Sequence, residues 1–205
     1  MPEFALGVII LAAGASARMG RPKLLLPWGA TTVLGHVIEL WITLHADQIT
    51  VAQASIDLGI SSELDRLGLP PENRILNANP AEGMFSSILC AAGWDGWKPV
   101  LTHLAIVLGD QPHLRSDFLR SLLDFTRANP ERIVQPSCGG RPRHPVLLPR
   151  SEFQALGAAK EPTLKSFLQN RSDTVLLLPS NDPGLDFDID TPEDYESARK
   201  KFLTT

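Results

Sequence analysis

Two long apolar runs dominate the hydrophobic pattern of the chain. Residues 6–13 and 101–108 are rich in aliphatic side chains without regular polar alternation, which is typical of strands buried on both faces of a sheet. Shorter apolar runs predict five further strands, at 48–52, 74–77, 133–136, 146–148 and 174–178. The chain is therefore expected to contain a sheet with a strongly apolar centre.

Between these runs, apolar residues recur at the three- and four-residue spacing of amphipathic helices. In the predicted helix 31–44, Val33, Val37, Leu40 and Trp41 fall on one face. Further helices are predicted at 58–67, 85–92, 116–128 and 191–202, with two short helical stretches before the last strand. Ser116 or Asp117 is expected near an N-cap, and Pro192 suits the first turn of the last helix.

Alternating strands and helices predict a three-layer α/β fold, Rossmann-like, with a mixed, mostly parallel sheet flanked by helices. No linker, repeat or low-complexity segment divides the chain, so residues 1–205 are predicted to form a single domain. Open sheets of this kind bind ligands beyond the carboxyl ends of their strands. The loops that directly follow strands are therefore the candidate binding segments.

Composition argues against several classes of binding partner and site. The net charge is −4 and no block of basic residues occurs, so a large nucleic-acid surface is not expected. The first apolar run is far shorter than the roughly 20 residues of a membrane span, and no basic signal-peptide start precedes it. A cytoplasmic protein without a membrane segment is expected. Cys90 and Cys138 form no CxxC pair, which leaves a zinc or redox motif without support.

The first candidate site is the segment 11–23, LAAGASARMGRPK, which leaves the first apolar run with small residues. Backbone N–H groups of such a loop can hold phosphate oxygens, and Arg18 and Lys23 add positive charge. The spacing of Gly14 and Gly20 fits neither the Walker loop nor the GxGxxG fingerprint. The alternative is a surface turn with two solvated cations.

Acidic residues supply the second candidate site. Asp110 directly follows the strand 101–108, where a hard oxygen ligand suits Mg²⁺, although it could instead cap a turn. If residues 186–190 are extended, Asp186, Asp188 and Asp190 share one face, and their charges repel unless a cation compensates. The alternative is that Asp190 or the following threonine only caps the last helix.

Two further segments are candidates for completing a pocket. Residues 77–87 place Gly83 and two hydroxyls, including that of Ser86, before a helix, where backbone donors are free. Residues 141–146 present the cationic Arg141 and the imidazole of His144 before a strand. Each has a purely structural alternative, helix capping for the first and a packed or exposed histidine for the second.

Together these segments resemble the molybdenum cofactor cytidylyltransferase family, MobA-like NTP transferases of the nucleotide-diphospho-sugar transferase, or glycosyltransferase-A-like, fold. The resemblance spans roughly residues 8–198 and is strongest at 11–26, LAAGASARMGRPKLLL. Four further segments match in the expected order: NPAEGMFSSI at 79–88, GDQP at 109–112, RHPVL at 143–147 and DIDTPED at 188–194.

The resemblance implies an enzyme that holds an NTP with its first loop. The implied nucleotide contacts are Leu11, Ala12, Ala13, Gly14, Ser16, Gly20, Lys23, Gly83 and Ser86. It also implies catalytic roles for Lys23, Arg18 and Asp110, with Asp110 and either Asp188 or Asp190 as Mg²⁺ ligands. Ala13 and the GDQP segment resemble relatives that use CTP, which favours CTP over GTP.

The implied reaction is an in-line attack of the acceptor's terminal phosphate on the α-phosphorus of the NTP, with pyrophosphate leaving. The attacking oxygen is already anionic, so the protein mainly positions the reactants and neutralises charge, through Mg²⁺, Lys23 and Arg18. Molybdopterin is the favoured acceptor, with Arg141 and His144 as candidate contacts. A transient contact with a molybdoenzyme would accompany that choice.

Two departures from the family pattern lie on the expected acceptor side. Arg143 stands where the family usually has glycine, and KEPTLK at 160–165 replaces a segment that commonly resembles DxGAR. Another phosphorylated acceptor, such as a sugar or polyol phosphate, therefore stays an alternative, as does guanylyl transfer from GTP. A non-catalytic regulatory or chaperone-like module is disfavoured because the candidate metal ligands are retained. A Rossmann dehydrogenase conflicts with the missing GxGxxG.

Overall fold

A computed structural model describes residues 3–14 and 16–203 of the protein. The strands are β1 (Leu6–Leu11), β2 (Pro27–Trp28), β3 (Thr31–Thr32), β4 (Gln48–Ala54), β5 (Arg74–Asn77), β6 (His103–Leu108), β7 (Ile133–Cys138), β8 (Arg141–Pro142), β9 (Val146–Pro149) and β10 (Val175–Pro179). The α-helices are α1 (Val33–Thr43), α2 (Leu58–Arg66), α3 (Met84–Ala92), α4 (Ser116–Ala128), α5 (Arg150–Leu156), α6 (Leu164–Gln169) and α7 (Pro192–Phe202).

Eight of the strands form one mixed sheet in the order β10-β7-β9-β6-β1-β4-β5, with β8 paired to β7. Strand β1 lies in its middle, parallel to both neighbours, β4 and β6. Among the described strands of this sheet, β9 and the two-residue β8 run antiparallel to their partners, and the others pair in parallel with one another. The carboxyl ends of β1, β4, β5 and β6 therefore meet at one edge, which is where an open parallel sheet binds ligands.

Helices cover both faces of this sheet because successive side chains of β1 enter two separate cores. Val8 and Ile10 pack with residues of α1, α2, α4 and α7, whereas Ile9 and Leu11 pack with residues of α3, α5 and α6. All six residues of β1 are buried, which explains its lack of polar alternation. The predicted three-layer, mostly parallel α/β fold is confirmed.

The observed elements correct the predicted ones in several places. Strand β1 ends at Leu11, so residues 12 and 13 belong to the loop, and β6 begins at His103 rather than at residue 101. The β2–β3 hairpin and the short β8 were not predicted. The N-cap of α4 is Arg115, without a side-chain cap, and Asp117 lies inside the first turn, where its carboxylate accepts from the backbone N–H of Phe118 and pairs with Arg115.

None of the helices formed by residues 3–14 and 16–203 combines the length and apolar character that crossing a membrane requires.

Candidate active site

The loop after β1 folds back on itself. Ser16 and Gly20 both adopt left-handed backbone conformations, with φ of 49° and 67°, on either side of a single 3-10 turn. The Ser16 hydroxyl accepts a hydrogen bond from the backbone N–H of Lys23 at 3.2 Å, which closes the loop. Met19 is buried and anchors the loop on the core, while the space around the Cα of Gly14 is open. The loop is thus held at both ends with an accessible backbone between them.

Lys23 joins three segments that are far apart in the sequence. Its Nζ lies 2.5 Å from Asp110 Oδ2, 3.2 Å from Asp190 Oδ1 and 3.0 Å from the carbonyl oxygen of Ile189. Arg18 reaches the other oxygen of Asp190 at 2.8 Å. The Lys23 side chain is only 14% exposed, whereas that of Arg18 is 73% exposed. The loop, the end of β6 and the segment before α7 therefore meet at one ammonium group.

The charge state of Lys23 follows from these partners. Partial burial by itself would lower its pKa, but the carboxylates of Asp110 and Asp190 outweigh burial, and the pKa is raised above its usual 10.5. Lys23 is therefore cationic at neutral pH. Its charge compensates two carboxylates that would otherwise repel each other.

Close approach of β1 and β6 brings Asp110 to the loop. Gly109 lies so near the end of β1 that an added Cβ would be 2.7 Å from the carbonyl oxygen of Leu11. A larger residue at this position would push the two strand ends apart. Glycine directly before Asp110 thus lets the carboxylate stand beside the first loop.

Asp190 is free to pair with the cations because its neighbour caps the last helix. The Thr191 hydroxyl accepts from the backbone N–H of Asp194 at 3.2 Å, and the Asp194 carboxylate accepts from the N–H of Thr191 at 2.9 Å and of Asp190 at 3.2 Å. This is a capping box. The capping alternative is correct for Thr191, and it coexists with an Asp190 carboxylate that faces Lys23 and Arg18.

The shared face predicted for the three aspartates is wrong for Asp186. Residues Pro183–Asp186 form a 3-10 turn rather than an extended segment, and the Asp186 carboxylate pairs with Arg143. Asp188 is two residues before Asp190, and partial burial together with the charges of Asp110 and Asp190 raises its pKa. Two of the three aspartates thus share the electrostatic environment of Asp110.

A cavity of about 850 Å³ opens beside this cluster. Of the residues that sequence reasoning selected, nine line it: Leu11, Ala13, Gly14, Ser16, Arg18, Lys23, Gly83, Asp110 and Asp190. Lys23 and Arg18 belong to the loop after β1, whereas other lining residues follow β4 and β5, the next strands along the sheet. Such a cavity is large enough for a nucleotide.

Residues 8–175 match the MobA-like NTP transferase domain. The chain belongs to this family. Similar curated proteins include the molybdenum cofactor cytidylyltransferase of Escherichia coli, 27% identical over 97% of both chains. Another is the molybdenum cofactor guanylyltransferase of Rhizobium leguminosarum, 26% identical over 98% of this chain and 97% of the relative. The family resemblance inferred from the motifs is confirmed, and the protein is a nucleotidyltransferase that uses an NTP.

The fold is also that of solved structures. The homologue of Mycobacterium tuberculosis Rv0371c from Mycobacterium sp. strain JC1 superimposes with a TM-score of 0.75. It is 25% identical, and the similarity covers 97% of this chain and 96% of that one. Asp188 and Asp190 lie beyond residues 8–175, so this MobA-like transferase completes its charged cluster with a carboxylate from outside the matched segment.

Six of the predicted contacts do not line the cavity. Ala12 is buried, with its N–H bonded to the carbonyl of Ala52, and Gly20 ends the 3-10 turn. The Ser86 hydroxyl donates to the carbonyl oxygen of Gly83 at 2.8 Å. The remaining three, Asp188, Arg141 and His144, lie outside the wall of the cavity.

Arg141 and His144 are the residues predicted to contact the acceptor. They are close in sequence but lie in different structural environments. Arg141 is exposed on β8, after a turn in which Gly139 and Gly140 both have positive φ. His144 Nδ1 lies 3.3 Å from the carbonyl oxygen of Ile106, and burial lowers the pKa of its ring below 6.5. His144 is therefore neutral at pH 7.

Sequence reasoning missed the residues that follow β4. Ala54, at the end of β4, and Ile56, Asp57 and Leu58 after it line the cavity. Ser87 and Met84 of α3 also line it, and both lie within the candidate segment 77–87. The position of residues 54–58 after a parallel strand was an available signal, because the carboxyl-end rule applies to β4 as well as to β1. The choice between Ser86 and Ser87 depends on side-chain orientation, which no sequence pattern supplies.

Asp110 and Asp190 are carboxylates of this site that could hold a divalent cation. Within the described part of the chain, no three His, Cys, Asp or Glu side chains converge on a preformed metal site. The Lys23 ammonium lies between Asp110 and Asp190 instead. Mg²⁺ typically takes one or two carboxylates and completes its shell with water and substrate phosphates. The residues therefore fit Mg²⁺ that arrives with a nucleotide.

Proposed function

We propose that this MobA-like transferase moves CMP from CTP to the phosphate of molybdopterin, with Mg²⁺ and release of pyrophosphate. The observation that carries the proposal is Lys23, a mostly buried cation between Asp110 and Asp190 in the wall of the cavity. A triphosphate needs such cations beside its phosphates. The small-residue loop beside them leaves backbone N–H groups accessible to phosphate oxygens.

CTP is preferred over GTP because Ala13 and the GDQP segment resemble those of CTP-using relatives. The names of the relatives do not decide the base, since cytidylyl- and guanylyltransferases are similar to this chain at 27% and 26% identity. Molybdopterin is preferred because both relatives carry the molybdenum cofactor in their names. Arg141, on the exposed hairpin, is the candidate contact for the acceptor's anionic groups.

The chain's own residues then act by positioning and by charge. An oxygen of the acceptor phosphate forms the new bond to the α-phosphorus of CTP, and the bond from that phosphorus to the pyrophosphate oxygen breaks. A phosphate monoester is already anionic at neutral pH, so no protein base is required. Lys23 and Arg18 neutralise negative charge on the transferring group, which is the main catalytic effect available in such a reaction.

Asp110 and Asp190 would hold Mg²⁺ together with the triphosphate, and Asp188 stands close enough to contribute its charge. The ion would supply further charge neutralisation and alignment of the phosphates. Lys23 would then be free to exchange its carboxylate partners for phosphate oxygens.

The test is pyrophosphate release with Mg²⁺ and molybdopterin, with each of the four NTPs in turn. Release with CTP alone supports the proposal. Release only with GTP would replace CMP by GMP, and release only with a sugar or polyol phosphate would replace the acceptor. A protein that binds NTPs but releases no pyrophosphate with any of these acceptors would be a non-catalytic nucleotide-binding module.

Asp110→Asn provides the matched variant, because it removes the carboxylate charge from the cavity with little change in size. We expect it to lower turnover by at least the 10²-fold typical of losing one electrostatic contact to the transition state. Asp124→Asn is the control, since Asp124 is exposed on α4, pairs with Arg127 and does not line the cavity. Unchanged turnover in Asp110→Asn at saturating Mg²⁺ would overturn the metal assignment.

A further inference from the structure

Asn77, the last residue of β5, is a buried amide with almost all of its hydrogen-bonding capacity in use. Its side chain is 1% exposed. The two hydrogens of Nδ2 go to the hydroxyl oxygens of Ser86, at 2.8 Å, and of Ser87, at 2.9 Å. Its Oδ1 accepts from the backbone N–H of Asn79 at 2.8 Å. The amide is therefore fixed in one orientation, with its donor side toward α3.

This orientation determines what the two serine hydroxyls can do. Each oxygen accepts from Asn77, so each hydroxyl proton must be donated elsewhere. Ser86 donates to the carbonyl oxygen of Gly83 at 2.8 Å. Ser87 has no such acceptor among residues 3–14 and 16–203, and it lines the cavity. The Ser87 hydroxyl is therefore left as a donor for a bound molecule.

The position of Ser87 indicates which part of a nucleotide it meets. Helix α3 follows β5, which lies two strands from β1 in the sheet, a distance of about 9–10 Å. The cations at the other end, Lys23 and Arg18, follow β1. A nucleotide whose phosphates contact those cations therefore places its nucleoside part toward α3.

We propose that Asn77 is a positioning residue that holds Ser87 as a hydrogen-bond donor toward the nucleoside of the bound NTP. The site then selects a nucleotide that presents an acceptor atom at this point. The inference rests on the proposed function only in requiring that the cavity binds an NTP; it does not depend on the identity of the acceptor substrate.

Asn77→Asp reverses the direction of the hydrogen bond to Ser87 with minimal change in side-chain shape. A carboxylate accepts but does not donate, so Ser87 would turn its proton toward residue 77 and present lone pairs to the ligand. We expect roughly tenfold weaker binding of the preferred NTP, the size of one lost hydrogen bond. The ranking of the four NTPs by Kd should also change, whereas an Asn77 that only stabilises the loop would weaken all four alike.

The two serines provide a matched pair, because Asn77 donates to both and only Ser87 lines the cavity. Ser87→Ala should weaken NTP binding about as much as Asn77→Asp, again roughly tenfold. KM should rise with kcat nearly unchanged, and the double variant should show no further loss. Ser86→Ala should keep the wild-type Kd. The pair remains decisive if Asn77→Asp does not fold.

The experiment is calorimetric titration of each variant with CTP, GTP, UTP and ATP, with thermal unfolding as a check of folding. A wild-type protein that binds none of the four would overturn the proposed function itself. Wild-type binding that Ser87→Ala leaves unchanged, or that Ser86→Ala weakens equally, would overturn the role of Asn77 alone.

Discussion

At the scale of single residues, Lys23 is the side chain on which the site depends most. Its ammonium compensates Asp110 and Asp190 in the free protein and stands where a triphosphate would place its charge. Under the proposed function, one cation serves both the resting arrangement and the reaction. Arg18 shares Asp190 but is mostly exposed, so solvent screens its charge far more.

Lys23→Ala should lower kcat/KM on the order of 10²–10³-fold, because it removes a desolvated cation from the transferring group. Arg18→Ala, the comparison variant, should have a smaller effect. Steady-state kinetics with saturating acceptor check both. An effect of Lys23→Ala on KM alone would instead mark this residue as a uniform binding contact.

Removing the charge of Asp188 is predicted to stabilise the folded protein. Its folded-state pKa is raised above 3.8 by partial burial and by the charges of Asp110 and Asp190. The folded protein thus binds this proton more tightly than the unfolded chain, so the stability from this group falls as pH rises through the window above 3.8. Asp188→Asn should therefore raise the Tm at pH 7 in EDTA, and the gain should vanish below pH 3.8.

Asp186→Asn is the control for this measurement, because the Cys138 thiol and the Arg143 guanidinium lower the pKa of Asp186. Its charged form favours folding, so the variant should lower the Tm at pH 7. Equal shifts in the same direction for the two variants would contradict the assigned environments.

At the scale of elements, the start of α7 determines where Asp190 points. Thr191 and Asp194 form a capping box immediately after Asp190, and a second capping box, Thr163 with Ser166, begins α6. In both caps the threonine hydroxyl accepts from the backbone N–H three residues on, while the reciprocal acceptor is a carboxylate in the first cap and a hydroxyl in the second. Only the first adjoins the charged cluster, so a local stability effect can be separated from an effect on the site.

Thr191→Ala and Thr163→Ala should each lower the free energy of unfolding by about 1 kcal/mol, the usual cost of losing a threonine cap. Thr191→Ala should also reduce turnover, because Asp190 loses the fixed helix end beside it. Urea unfolding and pyrophosphate release measure the two effects. Equal turnover in the two variants would show that the cap does not position Asp190.

Local sequence signals were sufficient to predict the bounds of some helices and strands but not the presence of others. The segments 74–77 and 116–128 were predicted with the bounds that the structure has, since hydrophobic period and turn residues define both ends. The two-residue strands β2, β3 and β8 were missed, because pairs this short carry no periodic pattern. Each of these strands forms because it pairs with another strand.

At the scale of the whole molecule, four buried or half-buried histidines are expected to contribute to the response to acid. Burial lowers the pKa of His36, His103, His113 and His144 from 6.5. His113, for example, packs between the rings of Phe187 and Phe202, and its Nε2 lies 3.0 Å from the carbonyl oxygen of Gly184. These rings fold in the neutral form and must gain protons when the chain unfolds in acid.

The free energy of unfolding should therefore be lower at pH 5.5 than at pH 7.5. A lowered folded-state pKa contributes stability that is complete above 6.5 and is lost as pH falls below it. His103→Gln should reduce this pH dependence, and the exposed His45→Gln serves as control. Urea titrations at pH 5.5 and 7.5 measure the free energy of unfolding. An equal value at the two pH values would contradict the prediction. A single transition would also support the predicted single domain over residues 1–205.

The sequence by itself determined the class of fold, the family and nine of the residues that line the cavity. Strands buried on both faces need continuous apolar runs, and phosphate-binding loops need small residues and cations at a strand end. Both requirements are local, so they remain visible in the order of residues. Lys23, Asp110 and Asp190 could be selected on this basis alone.

Only the tertiary structure decided which of these side chains meet. Lys23 and Asp190 are 167 positions apart, yet their charged atoms lie 3.2 Å from each other because the sheet brings the loop after β1 to the start of α7. The same packing turned Asp186 toward Arg143 and left Ser87, rather than Ser86, at the cavity. Side-chain direction depends on neighbours that are distant in sequence, and no local pattern encodes it.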